Sequence, residues 1–131
     1  MNDNDSKKVL IVDDDPGILE LYTDVLSSSG FKVDSVSNGQ SALEILKNRQ
    51  HQLILLDIMM PDMDGIQVLK SVRTDENLYG HPVVVMLTNL ALTDNIKEAL
   101  DSGADAYLIK LSLSNEQLIQ QVRNYLFGFG K

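Results

Sequence analysis

Apolar residues along the chain fall into five short runs, each closed by polar or turn-forming residues. Val9-Leu10-Ile11-Val12 stops at Asp13-Asp14-Asp15, Leu53-Ile54-Leu55-Leu56 at Asp57, and Val83-Val84-Val85-Met86-Leu87 at Thr88-Asn89. Phe31 to Val36, broken by polar residues, and Ala106 to Ile109 complete the set, and Lys110 follows the second of these. Aliphatic runs bounded by turn signals are the pattern of strands buried on both faces. Between them, apolar residues recur every three or four positions, as on amphipathic helices. Ile18, Leu21, Tyr22, Val25 and Leu26 form the first such set, opened by Pro16 behind a candidate N-cap, Asp15, and closed at Gly30. Ala42, Leu43, Ile45 and Leu46 follow the Asn38-Gly39 turn signal. Ile66, Val68, Leu69 and Val72 run into the polar stretch 74–80, and Ile96, Ala99 and Leu100 into Gly103. Leu118, Ile119, Val122, Tyr125 and Leu126 make the last set.

Five strands alternating with five helices predict an α/β domain, a parallel sheet covered by helices on both faces. Right-handed crossovers leave few topologies, and the flavodoxin-like order 2-1-3-4-5 sets the first and third strands side by side. The expected organisation is a three-layer domain over residues 7–127, with a flexible N-terminus (1–6) and a C-terminal tail (128–131). In open sheets of this kind, ligands bind at the carboxyl ends of the strands. That edge collects Asp13 and Asp14 from the first strand, Asp57 from the third, Thr88 from the fourth and Lys110 from the fifth.

Several carboxylates in one confined site repel one another unless a cation intervenes. With oxygen donors alone, the natural cation is a hard one, and Mg²⁺ held by a few carboxylates and waters fits. A carboxylate can also accept a phosphoryl group covalently. Such a metal would orient and neutralise the group at Asp57, with a point charge from Lys110 and a hydrogen bond from the Thr88 hydroxyl. Taken singly, each residue has a plainer reading: Asp as a turn or cap residue, Thr as a strand end, Lys as a solvated cation. Their convergence on one sheet edge is what favours chemistry.

Composition narrows the field further. A net charge of −8, from 19 acidic and 11 basic side chains, disfavours direct nucleic-acid binding. The absence of cysteine excludes disulfides and thiolate chemistry and suits a reducing compartment, so a cytoplasmic location is expected. Met1–Lys8 lacks the apolar core of a signal peptide, and no run reaches membrane-spanning length. Both histidines, His51 and His81, are expected in loops, with no Cys or neighbouring His to complete a zinc site.

Four motifs together resemble the receiver domain of two-component response regulators: Leu10-Ile11-Val12-Asp13-Asp14, Leu56 to Gly65, Met86-Leu87-Thr88, and Gly103 to Lys110. The resemblance covers about residues 7–127. It implies that Asp57 is the phosphoacceptor and that the donor is a histidine kinase or a histidine phosphotransfer protein. Asp13, Asp57 and the backbone carbonyl of Met59 would ligate Mg²⁺ directly, and Asp14 through water. Thr88 and Lys110 would bind the phosphoryl oxygens, and Thr88 and Tyr107 would form the switch. The partner-binding face would comprise the fourth predicted helix, the fifth strand and the fifth predicted helix. A signalling protein rather than an enzyme is implied, a monomer or weak dimer acting on an unknown downstream protein. It would either act alone or form a piece of a longer regulator.

Two departures qualify the match. Family members usually carry Pro after the Lys, whereas Leu111 stands here, in a Lys110–Ser114 segment one residue longer. A trans Lys110–Leu111 peptide is expected, because cis bonds outside X–Pro cost ~2.5–4 kcal/mol. The residue after the Thr is usually small, whereas here it is Asn89. Its side chain is expected either to obstruct the approach to Asp57 or to cap the following helix. Other classes stay open at this point. A haloacid-dehalogenase-type phosphatase would need a second Asp at position 59, where Met stands. A flavin-binding module would have to place an anionic phosphate against three aspartates. A receiver without chemistry, serving only in protein contacts, would not need the full acid, Thr and Lys set.

Overall fold

Strand β3 (Leu53–Asp57) runs through the middle of a five-stranded parallel sheet, and all five of its residues are buried. The computed structural model describes residues 7–48, 50–61, 63–89 and 93–128. Strand β1 (Lys8–Val12) pairs with β3 on one side, Ile11 beside Leu55, and with β2 (Lys32–Val36) on the other. On the far side of β3 lie β4 (Val83–Thr88) and then β5 (Ala106–Ile109), giving the expected order 2-1-3-4-5. This is the flavodoxin-like arrangement. No helix among the described residues is long and apolar enough to cross a membrane.

Strand side chains alternate between the two faces and so build two cores. Leu10, Ile54, Leu56, Val84 and Met86 pack toward helices α2 (Gly39–Asn48), α3 (Gly65–Thr74) and α5 (Thr93–Asp101). Val9, Ile11, Leu53, Leu55, Val85 and Leu87 pack toward α1 (Pro16–Ser28) and α6 (Asn115–Phe127). Each fully buried Leu or Ile side chain contributes about 1.5–3 kcal/mol of transfer free energy, so the doubly covered strands anchor the fold. Asp15 caps α1 by accepting from the Gly17 amide at 2.8 Å, as its position before Pro16 predicts.

Among the described residues the helices number six rather than the expected five. The additional member, α4 (Glu76–Tyr79), is a single turn inside the polar stretch after α3. Asp75 starts it by accepting from the Leu78 amide at 3.1 Å, and Gly80, at φ +73°, ends it. One turn is too short to repeat an apolar position, so periodicity carries no trace of it.

Both histidines lie in loops. The His51 ring is buried, with Nε2 2.8 Å from Asp34 Oδ2 on edge strand β2, whereas His81 is exposed and pairs with Glu76 at 2.9 Å. At the amino-terminal edge of the sheet, Arg73 at the end of α3 joins three segments. It donates to the Pro82 carbonyl (2.8 Å), the Gly103 carbonyl (3.0 Å) and the Asp105 carboxylate (3.0 Å). The expected N-terminal extension 1–6 lies outside the described residues, as do positions 129–131 of the expected tail.

Candidate functional site

The carboxyl edge of the sheet brings the sequence-predicted residues together. Asp13 continues β1, with its amide donating to the Val36 carbonyl at 3.2 Å, and its side chain is fully buried. Asp57 ends β3, is also buried, and accepts from the Met59 amide at 3.2 Å. Asp14 is exposed beside them, and oxygens of the three carboxylates lie within 4.8 Å of one another. Lys110 reaches in from the end of β5, its ammonium 2.7 Å from Asp13 Oδ2 and 3.1 Å from Asp57 Oδ2. Thr88 is buried at the end of β4, where its carbonyl accepts from the Lys110 amide at 2.7 Å.

Burial is the main reason that the Asp57 carboxyl is pushed up to about 7, and the Asp13 charge adds to it. The Lys110 charge and its hydrogen bond pull in the opposite direction without cancelling them. Lys110 itself is raised above its ordinary value: burial lowers it, and the two carboxylates more than offset that. Two carboxylates thus share one ammonium, and a third stands at the rim. This all-oxygen, anion-rich donor set fits a hard divalent cation such as Mg²⁺.

Gly65 shapes the site in a way that sequence pattern did not reveal. Helix α3 begins so close to the end of β3 that a Cβ on Gly65 would collide with the carbonyl oxygen of Asp57. The Gly65 amide donates to the Ile58 carbonyl at 2.9 Å, while Asp64 and Gln67 close a capping box around the same helix start. Met59, a predicted carbonyl ligand, has an exposed side chain (63%) beside Asp57. Tyr107, the predicted aromatic switch, sits on β5 opposite Met86 and is 42% exposed.

The two sequence departures have structural consequences. All peptide bonds among the described residues are trans, Lys110–Leu111 included. Leu111 instead adopts φ +61°, the left-handed region, and is 67% exposed. Ile109 to Ser112 form a turn closed by the Ser112 amide on the Ile109 carbonyl (3.2 Å), and the Ser112 hydroxyl bonds the same carbonyl. Asn89 is exposed, and α5 begins at Thr93, four residues on. Residues 90–92, where a cap of that helix would fall, lie outside the described residues.

The fold and site define a flavodoxin-like α/β domain with an acidic cluster at the carboxyl edge of its sheet. The family profile described as "Response regulator receiver domain" matches residues 9–123. This chain belongs to that family, the receiver domain of a two-component response regulator. It is 38% identical over 117 residues to the DNA-binding response regulator MtrA of Mycolicibacterium smegmatis, covering 89% of this chain and 49% of MtrA. It is 36% identical over 119 residues to the transcriptional regulatory protein HprR of Escherichia coli, covering 91% and 51%. This chain thus spans about half the length of those relatives. Among solved structures, chemotaxis protein CheY4 of Vibrio cholerae superposes with a TM-score of 0.84 at 28% identity, covering 92% of this chain and 98% of CheY4. A two-component response regulator from Clostridium difficile gives 0.85 at 28%, covering 96% and 100%. Family membership sets aside the phosphatase and flavin-binding alternatives.

Proposed function

We propose that Asp57 accepts a phosphoryl group from a phosphohistidine on a histidine kinase or histidine phosphotransfer protein, and that the reaction requires Mg²⁺. An Asp57 carboxylate oxygen forms the new P–O bond as the donor's P–N bond breaks, and the imidazole leaves. Lys110 then pairs with the phosphoryl oxygens, and the Thr88 hydroxyl donates to one of them. The observation that carries this reading is the buried Asp57 carboxyl, 3.1 Å from the Lys110 ammonium at the strand edge and beside two further aspartates.

Protonation links the metal to the nucleophile. Pushed up to about 7, Asp57 is half protonated near neutral pH, and only the ionised form attacks phosphorus. Asp13, Asp14 and Asp57, with the Met59 carbonyl, would hold Mg²⁺, whose charge stabilises the ionised carboxylate and the incoming phosphoryl oxygens. The phosphoryl group itself carries about −1.5 to −2 charge and three acceptor oxygens, in place of the single charge of the carboxylate. In the proposed switch, Thr88 moves toward them and Tyr107 turns into the space released. The α5–β5–α6 face changes with it and binds the downstream partner. In this reading the domain has no substrate turnover beyond its own phosphorylation and slow dephosphorylation. The DNA binding and transcriptional regulation in the relatives' names belong to proteins about twice this length.

The test is to incubate the protein with a small phosphodonor and map the acid-labile phosphate by mass spectrometry. Labelling should fall on Asp57, vanish in Asp57→Asn, and require Mg²⁺. Undiminished labelling in chelator, or on the Asp57→Asn protein, would refute the proposal.

A further inference from the structure

The Lys110–Leu111 peptide bond ends in an N–H that a proline at position 111 would lack. That N–H donates to the Tyr22 hydroxyl at 3.3 Å, across 89 residues of sequence. Tyr22 lies on the buried face of α1, its ring packed in the core beneath β1, β3 and α6. Among the described residues its hydroxyl has no other hydrogen-bond partner. We infer that Tyr22 is a positioning residue for Lys110: its hydroxyl holds the turn that aims the ammonium at the acidic site. This inference rests on the proposed role of Lys110 as a phosphoryl-binding group.

The geometry argues for it from both sides of Lys110. Its own amide is fixed by the Thr88 carbonyl at 2.7 Å, which ties the preceding peptide plane to β4. The following peptide plane, which also contains the Lys110 Cα, is held from outside the turn by Tyr22. Leu111 occupies the second central position of this turn at φ +61°, where Gly or Asn is normally favoured. Left-handed geometry is unfavourable for a leucine, and flipping the peptide would relieve it. The hydroxyl bond opposes that flip. Proline cannot adopt this φ and offers no donor, so Leu111 and Tyr22 act as a pair in place of the family's usual solution.

A double-mutant cycle with Tyr22→Phe and Lys110→Ala tests the inference, because Phe keeps the ring that fills the core and removes only the hydroxyl. Two affinities are measured by amide NMR titration: Mg²⁺ alone, and beryllofluoride, a phosphoryl mimic, at fixed Mg²⁺. Tyr22→Phe should weaken beryllofluoride binding by roughly three- to tenfold, the worth of one hydrogen bond. Its Mg²⁺ affinity should stay level or tighten, because Lys110 competes with the cation for Asp13 and Asp57. In the Lys110→Ala background the Tyr22→Phe effect should disappear. Parallel weakening of both ions, an equal effect without Lys110, or no effect would each overturn the inference. If Lys110→Ala binds beryllofluoride like the parent, the phosphoryl-binding role of Lys110 falls, and this inference falls with it.

Discussion

Asp57 combines burial with proximity to a second buried carboxylate, and one ammonium serves both. Its folded pKa of about 7 stands above the ordinary 3.8, so between those values the native protein holds a proton that the unfolded chain has released. Stability of the metal-free protein therefore falls as pH rises through that window. Asp57→Asn removes the conflict. In chelator, thermal melts should show the variant more stable than the parent at pH 8, by several degrees on the usual scale of about 4 °C per kcal/mol. The difference should shrink toward pH 4, and Mg²⁺ should stabilise the parent more than the variant. A variant no more stable at pH 8 would contradict this electrostatic picture. Asn89 invites a second test at this scale. Exposed, it stands one residue beyond Thr88, the proposed phosphoryl-binding residue. Asn89→Ala should speed both labelling by a small donor and loss of the phosphate, severalfold, with the melting temperature unchanged; a barrier change of ~1.4 kcal/mol is tenfold in rate. Rates within a factor of two of the parent would show that Asn89 does not obstruct the approach.

Between residues and the whole molecule stand the junctions where one element meets the next. The β3–α3 junction is closed by Gly65, and the obstacle to a Cβ there is backbone, which cannot swing aside as a side chain can. Gly65→Ala should cost about 1–3 kcal/mol by denaturant unfolding and slow phosphorylation, because Asp57 itself must move. Gly17→Ala in α1 is the natural control, since the nearest atom is a side-chain oxygen of Asp15 at 3.2 Å. Equal stability losses in the two variants would mean that the Asp57 contact is not the cause. These junctions also mark where sequence reading stopped. Strands buried on both faces show themselves as unbroken aliphatic runs, so Leu53–Leu56 and the carboxylate that follows were legible. So was the convergence of Asp13, Thr88 and Lys110, because strand order fixes which ends meet. Helix α4 was not, because a single turn has no period. Nor were the Gly65 contact, the left-handed Leu111 and the Tyr22 bond. Each depends on a distance between segments that have no common pattern in the chain.

For the whole molecule, the proposed switch must carry a change at Asp57 and Thr88 to a face formed by α5, β5 and α6. Addition of beryllofluoride with Mg²⁺ should therefore shift amide resonances across α5–β5–α6 as well as around residues 57–61. Shifts confined to the loop after Asp57 would defeat the proposed coupling. The Arg73 guanidinium sets a boundary on such movement, since it grips the chain at Pro82, Gly103 and Asp105, behind the exit of α5. Gly103 is itself crowded by the Arg73 stem, with a Cβ there meeting Cγ at 3.1 Å. In the proposed switch, α5 would act as a lever with its fulcrum at that grip. Nine residues make an arm of about 13–14 Å, so a tilt of roughly ten degrees carries the opening turn at Thr93 by about 2 Å. The tail at Asp101 stays almost still. Resonance shifts should accordingly decline along α5 from Thr93 to Asp101, and an even displacement of the whole helix would mean that the grip had let go.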